Sequence, residues 1–513
     1  MACWKQYPRF LRFSNQMYSD PFRCLSWIIL LLLLIYRLVD FRPIMGDEVI
    51  RYDQIHSYSW FALSHLGQFS SSVHDPFGFL IGTKFLHAAV PVNKYTFRLF
   101  PFFCAIISAI VFAKAAGLVL GKTASRLSLG LFVLSPFLIR YSAFLGPYTL
   151  DVAVCAGLLI LFLRMQTDDL SRPHRLIVYG LLGGTAIWTS LPSVFILSGA
   201  GLALALGAIS NHDVKRLNRL IVVGAFWLGS FMTYFFVNLQ FFVYRPHLLV
   251  HWAEQLFPHA TSIKNICVWI WIHFMDMFRK PAGMFPRAAI PVFAWGVIKM
   301  FHRRPEQAAM LTFPFIMVLG AAVWHKYPLY HRVMMFLLPQ IYILIGYGWQ
   351  EVYRWEKRYG RPIIGCALAL ILLVQPVRYI HQSFNKPGWR EGIEPLWRSV
   401  QRQWQPDDGL YICSHMKPMF DVFKDQVDLT ADKILHGPCQ KEGFFASSNL
   451  AAVRHFNRLW IVMFKIGYRD RFHVKPLMQS LGEPLYFETW GWARAGLYST
   501  ENISLITQRP SEP

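Results

Sequence analysis

The chain has 513 residues, of which 54% are hydrophobic and only 16% charged, with 18 Trp, 22 Tyr and 43 Phe. A soluble chain of this length carries about a quarter charged residues, so this composition excludes an ordinary soluble enzyme and points to a polytopic helical membrane protein. The formal charge of +22 does not indicate nucleic acid: residues 381–513 hold 16 Lys and Arg against 14 Asp and Glu, a net of +2, so +20 lies in the apolar part. There it falls in short connections, the distribution of the positive-inside rule rather than of a nucleic-acid footprint.

In chain order, apolar runs occur at 25–39, 97–120, 127–141, 148–163, 177–189, 193–209, 220–243, 288–301, 308–324, 333–349 and 362–379. They predict about 11 transmembrane helices, several shorter than the roughly 20 residues of a full crossing. With Lys5, Arg9, Arg12 and Arg23 in the cytoplasm, the cytoplasmic connections carry Lys122/Arg126, Arg164/Arg172/Arg175, Lys215/Arg216/Arg219, Arg303/Arg304 and Arg354/Lys357/Arg358/Arg361. The external turns 142–147 and 190–192 carry none, which places the C-terminus outside. Arg37 and Asp40 stand where a signal-peptide cleavage site would need small residues, so no cleavable signal is expected.

Two external loops are long. In 42–96, Val49, Tyr52, Ile55 and Leu63 recur at near-helical spacing, as in an interfacial helix. In 244–286, the stretch 263–277 reads as a second, aromatic-rich one. The segments 1–380 and 381–513 form a membrane module and a soluble domain. In the soluble domain, 409–413, 459–464 and 495–499 read as strands, and 418–423 and 472–481 as helices. This small α/β unit has no Gly-rich phosphate loop, so no nucleotide is assigned to it. Cys413 and Cys439 fit either a disulfide or two free thiols.

Three groups of residues could carry chemistry. Asp47 and Glu48 follow the first apolar run; ionisable residues at a membrane boundary are costly, and a carboxylate there could take a proton from a hydroxyl nucleophile. The structural alternative is a pair of helix-start acids favoured by the helix dipole and paired with Arg51. Second, the external turn 325–332 holds Lys326 and Arg332 against the positive-inside rule, which suits phosphate binding, with Tyr327 and His331 beside them. Headgroup snorkelling is the plainer reading. Third, Asp47, Glu48, His74 and Asp75, with Asp53 and His56, offer ligands for Mg²⁺, Mn²⁺ or Zn²⁺, but at no spacing that matches a metal motif. In the second loop, His251, Glu254 and His259 are candidates for contact with an acceptor.

The order of several motifs resembles the GT-C superfamily of membrane glycosyltransferases, in the branch of protein O-mannosyltransferases, aminoarabinose transferases and Rgt-like lipopolysaccharide-core transferases. The matching pieces are Gly46-Asp47-Glu48, His74-Asp75-Pro76-Phe77, Arg98-Leu99-Phe100-Pro101, the run from Ser135-Pro136 to Tyr141-Ser142 with Tyr148, and Tyr327-Pro328 with His331-Arg332 and Leu338-Pro339. The small external domain, with Asp408-Gly409 and Leu459-Trp460-Ile461-Val462, is similar as well. The sequence departs from relatives at Asp75, where a second proline is frequent, and at Val333, where an aromatic is common. It also lacks the longer acidic-His motif of the eukaryotic protein mannosyltransferases, which favours a bacterial type in an inner membrane.

The resemblance implies a GT-C fold and a polyprenyl-phosphate sugar donor. It implies transfer outside the cytoplasm to a glycan, lipid or protein acceptor, with membrane lipids as neighbours. Asp47 is then the base, Glu48 its support or a metal ligand, and Lys326 and Arg332 the partners of the leaving phosphate. The acidic pair and the cationic turn are expected to share one cavity. The rival functions are a transporter or lipid flippase and a catalytically silent assembly protein. Transporters usually place ionisable residues near the midplane, whereas these apolar runs are nearly free of acids.

Overall fold

A computed structural model describes residues 20–39, 46–65, 75–92, 96–243, 256–258, 262–385, 394–413, 433–437, 455–464, 483–490 and 493–500, with Phe420 and Val453. The chain divides into two compact units. One comprises Met1–Asp40 and Tyr58–Lys386, the other Phe41–Ser57 and Pro387–Pro513.

The first unit is helical. Its elements are α1 (Pro21–Val39), α3 (Trp60–Ser64), α4 (Phe77–Ala89), α5 (Leu99–Val119), α6 (Lys122–Val133), α7 (Pro136–Ser142), α8 (Tyr148–Thr167), α9 (Pro173–Thr189) and α10 (Ser193–Ser210). They continue with α11 (Val214–Tyr234), α12 (Gln240–Val243), α13 (Ile263–Arg279), α14 (Pro286–Arg303), α15 (Pro305–Val323), α16 (Leu338–Tyr359) and α17 (Ile363–Asn385). All eleven apolar runs lie on helices, and the short turns 142–147 and 190–192 join consecutive ones. Among the described residues eight helices are long and apolar enough to cross a membrane, and α6 with α7, bent by 49°, makes a ninth. Of the other two runs, α9 has only 17 residues, and the 18 of α14 include Arg287, Lys299 and Arg303. The protein is therefore a multi-pass membrane protein, and the eleven runs include two helices below the length or apolarity of an unambiguous span.

Its core is aromatic where α5, α6 and α16 meet. Phe112 stacks on Phe132 with ring centroids 4.2 Å apart, and Tyr342 meets both edge-on. Glycine lets α14 and α16 touch backbone to backbone. A Cβ on Gly348 would lie 2.0 Å from the Val292 carbonyl oxygen, and one on Gly296 would lie 2.1 Å from that of Leu344. Such small-residue contacts drive helix association where lipid offers no hydrophobic gain.

The second unit holds α2 (Gly46–Ser57), α18 (Glu394–Gln403) and strands β1 (Asp408–Cys413), β2 (Ile434–Gly437), β3 (Arg458–Phe464), β4 (Tyr486–Trp490) and β5 (Ala493–Ser499). The sheet order is β2-β1-β3-β5-β4. β1 runs parallel to β2 and β3, while β5 pairs antiparallel with β3 and β4. The buried Asp408 carboxylate ties the sheet together, accepting from Arg458 Nε and Nη2, both at 2.7 Å, and from Trp460 Nε1 at 3.1 Å. The three expected strands are β1, β3 and β5; β2, β4, α4 and α18 were not expected, although Trp397 and Val400 give α18 a buried apolar face. The helices expected at 418–423 and 472–481 lie outside the described residues save Phe420, as do Cys439 and the side chain of Cys413.

Candidate active site

The turn 325–332 is built by the end of α15. The Lys326 N–H bonds the Ala321 carbonyl at 2.9 Å and that of His325 bonds Ala322 at 3.0 Å, a Schellman closure with His325 at φ 55° in the left-handed region. Glycine usually fills that place. Here the imidazole Nε2 of His325 reaches the Phe257 carbonyl at 2.8 Å, tying the loop to the turn. Tyr327 donates to the Val333 carbonyl at 2.7 Å and packs edge-on against Phe195, at 4.8 Å between centroids. Lys326 is exposed. The Arg332 guanidinium lies over the Tyr148 ring at 5.7 Å, at the first residue of α8.

His331 turns toward α13. Its Nε2 is 2.5 Å from Lys280 Nζ and 3.2 Å from Asp276 Oδ2, and Lys280 Nζ is 3.3 Å from that same oxygen. Two N–H groups cannot face one another at 2.5 Å, so Lys280 donates and Nε2 presents its lone pair. The turn after Lys280 is pinned from two sides. Ser135 donates to the Pro281 carbonyl and Tyr342 to that of Ala282, each at 2.9 Å. Gly283, at φ 66°, packs so closely on Pro136 that a Cβ would come within 2.4 Å of its ring. The bend between α6 and α7 thus positions the cation at the end of α13.

Beside this cluster opens a cavity of about 250 Å³ between α13, α14, α15 and the turn. Its wall includes Phe274, Phe293, Phe315 and Leu319, and its polar side chains include Asp276, His331 and Tyr330. An apolar hollow of this kind suits the hydrocarbon tail of a lipid, and Lys280 stands beside it, paired with Asp276 and His331 of its wall.

A second buried group lies in the same unit. Asp75, just before α4, and Asp151, in the first turn of α8, are 3% and 7% exposed and lie within electrostatic range of each other. Among the described residues the Ser193 hydroxyl has no hydrogen-bond partner, while the Asp151 carboxyl faces the Ser190 hydroxyl. Tyr234 is within range of both carboxylates, and Tyr327 is within range of Asp151.

Asp47 and Glu48 belong to the second unit. They occupy the first turn of α2, Asp47 half-buried and Glu48 fully buried, with the buried Arg51 one turn on. That placement suits the helix dipole as well as chemistry. His74, His251, Glu254 and His259 lie outside the described residues. Among the described residues no three His, Cys, Asp or Glu side chains gather to hold a metal. Lys280 and Asp276 were not read as site residues. Their four-residue spacing on one helix was the available signal. Asp151 was visible as an acid at the end of an apolar run.

No protein-family model matches the sequence, and neither does any curated protein. Solved structures do. ArnT from Cupriavidus metallidurans in the apo state is similar with a TM-score of 0.52 and 14% identity, over 97% of this chain and 100% of that one. The same protein bound to undecaprenyl phosphate gives 0.50 and 13%, over 95% and 99%. At this identity the likeness speaks for the fold, and it extends over both units. The chain therefore has the GT-C fold, in the form that ArnT displays.

Proposed function

We propose that the protein is a glycosyltransferase that moves a sugar from a polyprenyl-phosphate donor to an acceptor of the cell envelope, on the extracytoplasmic side of a bacterial inner membrane. The observation that carries this reading is the apolar cavity whose wall includes Asp276 and His331, both paired with Lys280, next to a turn bearing Arg332, in a chain with the fold of a protein solved with undecaprenyl phosphate. Positive-inside counting supplies the orientation.

In this reading the acceptor hydroxyl gives its proton to the Asp47 carboxylate as its oxygen attacks the anomeric carbon from the face opposite the phosphate. The bond from that carbon to the phosphate oxygen breaks and its electron pair leaves with the phosphate, inverting the configuration. Glu48 supports Asp47. Arg332, Lys280 and Lys326 meet the charge that develops on the leaving group, where electrostatic stabilisation has most effect. The isoprenoid chain lies in the apolar cavity.

The test is direct. The purified protein in nanodiscs is supplied with polyprenyl-phosphate sugars and cell-envelope extract, and glycans are compared by mass spectrometry with those of a deletion strain. Sugar transfer with release of polyprenyl phosphate is expected. An unaltered envelope together with no transfer from any donor would contradict the proposal and favour a transporter or a silent assembly protein.

A further inference from the structure

The Asp276 carboxylate is oddly placed for a phosphate site. Its Oδ2 sits 3.3 Å from Lys280 Nζ, the atom an incoming anion would approach, and 3.2 Å from His331 Nε2. Since Lys280 also presses on the His331 lone pair at 2.5 Å, the imidazole presents no second positive charge toward the ammonium. Asp276 thus cancels the Lys280 cation that stands beside the cavity. It is itself part of the cavity wall, 28% exposed on its side chain, with His273 and Tyr330 as further neighbours. An ion pair of this exposure adds little to stability, so fold stability alone gives little reason for an acid at the rim.

We infer that Asp276 is a built-in counter-anion that discriminates between the charge states of the lipid carrier, favouring the loaded donor over the spent product. The inference rests on the donor reading above. A polyprenyl-phosphate sugar is a phosphodiester with one negative charge. After transfer the carrier is a phosphomonoester, and with a second pKa of about 6 it holds close to two charges at neutral pH and above. A fixed carboxylate repels the doubly charged headgroup twice as strongly as the singly charged one at equal distance. Lys280 is shared between Asp276 and the donor while the sugar is attached. Once the bond to the sugar breaks, the added charge strengthens the pull of Lys280 and Arg332, and the opposing push of Asp276 keeps the product from being held. Asp276 acts through Lys280 and the headgroup field, as a positioning and specificity residue.

The experiment measures binding of two probes at pH 8 to the full-length protein in nanodiscs: undecaprenyl phosphate, and the methyl phosphodiester of undecaprenol as a singly charged mimic. Neutral undecaprenol is the control. Asp276→Asn is expected to tighten the monoester by about tenfold and the diester by about threefold, a ratio set by their charges in a screened environment, and to leave undecaprenol unchanged. Asp276→Glu should keep the wild-type ratio, and Asp276→Ser repeats the measurement if the amide does not fold. Equal shifts for both probes, no shift, or weaker binding of the monoester would overturn the inference while leaving the donor reading in place. Failure of the wild-type protein to bind either charged probe better than undecaprenol would overturn both.

Discussion

The guanidinium of Arg332 sits over the ring of Tyr148, 5.7 Å from its centroid, and links the turn before α16 to the first residue of α8. The stacked ring fixes the position of the cation. Replacing Arg332 by Gln should lower kcat for sugar transfer by about 10²- to 10³-fold, the usual effect of removing a charge-stabilising donor. Tyr148→Leu removes the cation–π contact, about 0.5–2 kcal/mol, along with ring contacts to Tyr141 and Phe144. It should raise KM for the donor several-fold with kcat little changed. Steady-state kinetics of the two variants checks this; the same kcat loss in both would mean that Tyr148 does more than orient Arg332.

The glycine contact between α14 and α16 predicts a sharp contrast among alanine substitutions. Gly348→Ala would force a Cβ to 2.0 Å from the Val292 carbonyl oxygen, and overpacking of this kind costs about 1–3 kcal/mol. Gly224→Ala in α11 meets nothing within 4 Å and should be neutral or stabilising by about 0.5–1 kcal/mol, the helix-propensity difference. Thermal unfolding of the detergent-purified variants should separate them in opposite directions from wild type.

Asp20 ties the start of α1 to α6: its Oδ2 accepts from Arg126 Nε at 2.7 Å, and its Oδ1 accepts from the Phe22 N–H at 3.2 Å. Burial raises the carboxyl pKa, but the Arg126 hydrogen bond and charge, the Phe22 N–H and the Lys122 charge outweigh it, and the net shift is downward. A carboxylate held below its unfolded value, about 3.9, stabilises the fold above that pH and loses the contribution as pH falls through the folded value. Asp20→Asn should therefore lower the melting temperature at pH 7, and the difference from wild type should shrink as the pH drops below about 4. A difference that grows with acidity would refute the pairing.

Much of this architecture was legible in the sequence because the bilayer enforces it. Eleven apolar runs fell on helices, and the basic connections marked one end of the bundle. α9, with 17 residues, and α14, with Arg287, Lys299 and Arg303 along its 18, are shorter or more charged than the other helices that carry apolar runs. In the second unit β1 and β3 declared themselves through continuous apolar residues. β2 has only four residues, and β4 carries Glu488 and Thr489 along its length, so neither shows a usable alternation. The site was half legible. Arg332 and Lys326 stood out by violating a charge rule, whereas Lys280 follows an aromatic helix and looks like an ordinary interfacial lysine. Only the fold, by pinning Pro281 and Ala282 to Ser135 and Tyr342, brings Lys280 against His331.

Asp47, in the first turn of α2, is proposed as the base that takes the acceptor's proton in transfer from a lipid-phosphate donor. Single-turnover transfer from a polyprenyl-phosphate sugar, measured for wild type and Asp47→Asn with donor binding determined in parallel, tests it most directly. The account predicts a rate lowered by about 10²- to 10⁴-fold with donor affinity preserved, as expected when a general base is lost. A wild-type rate in Asp47→Asn would contradict it.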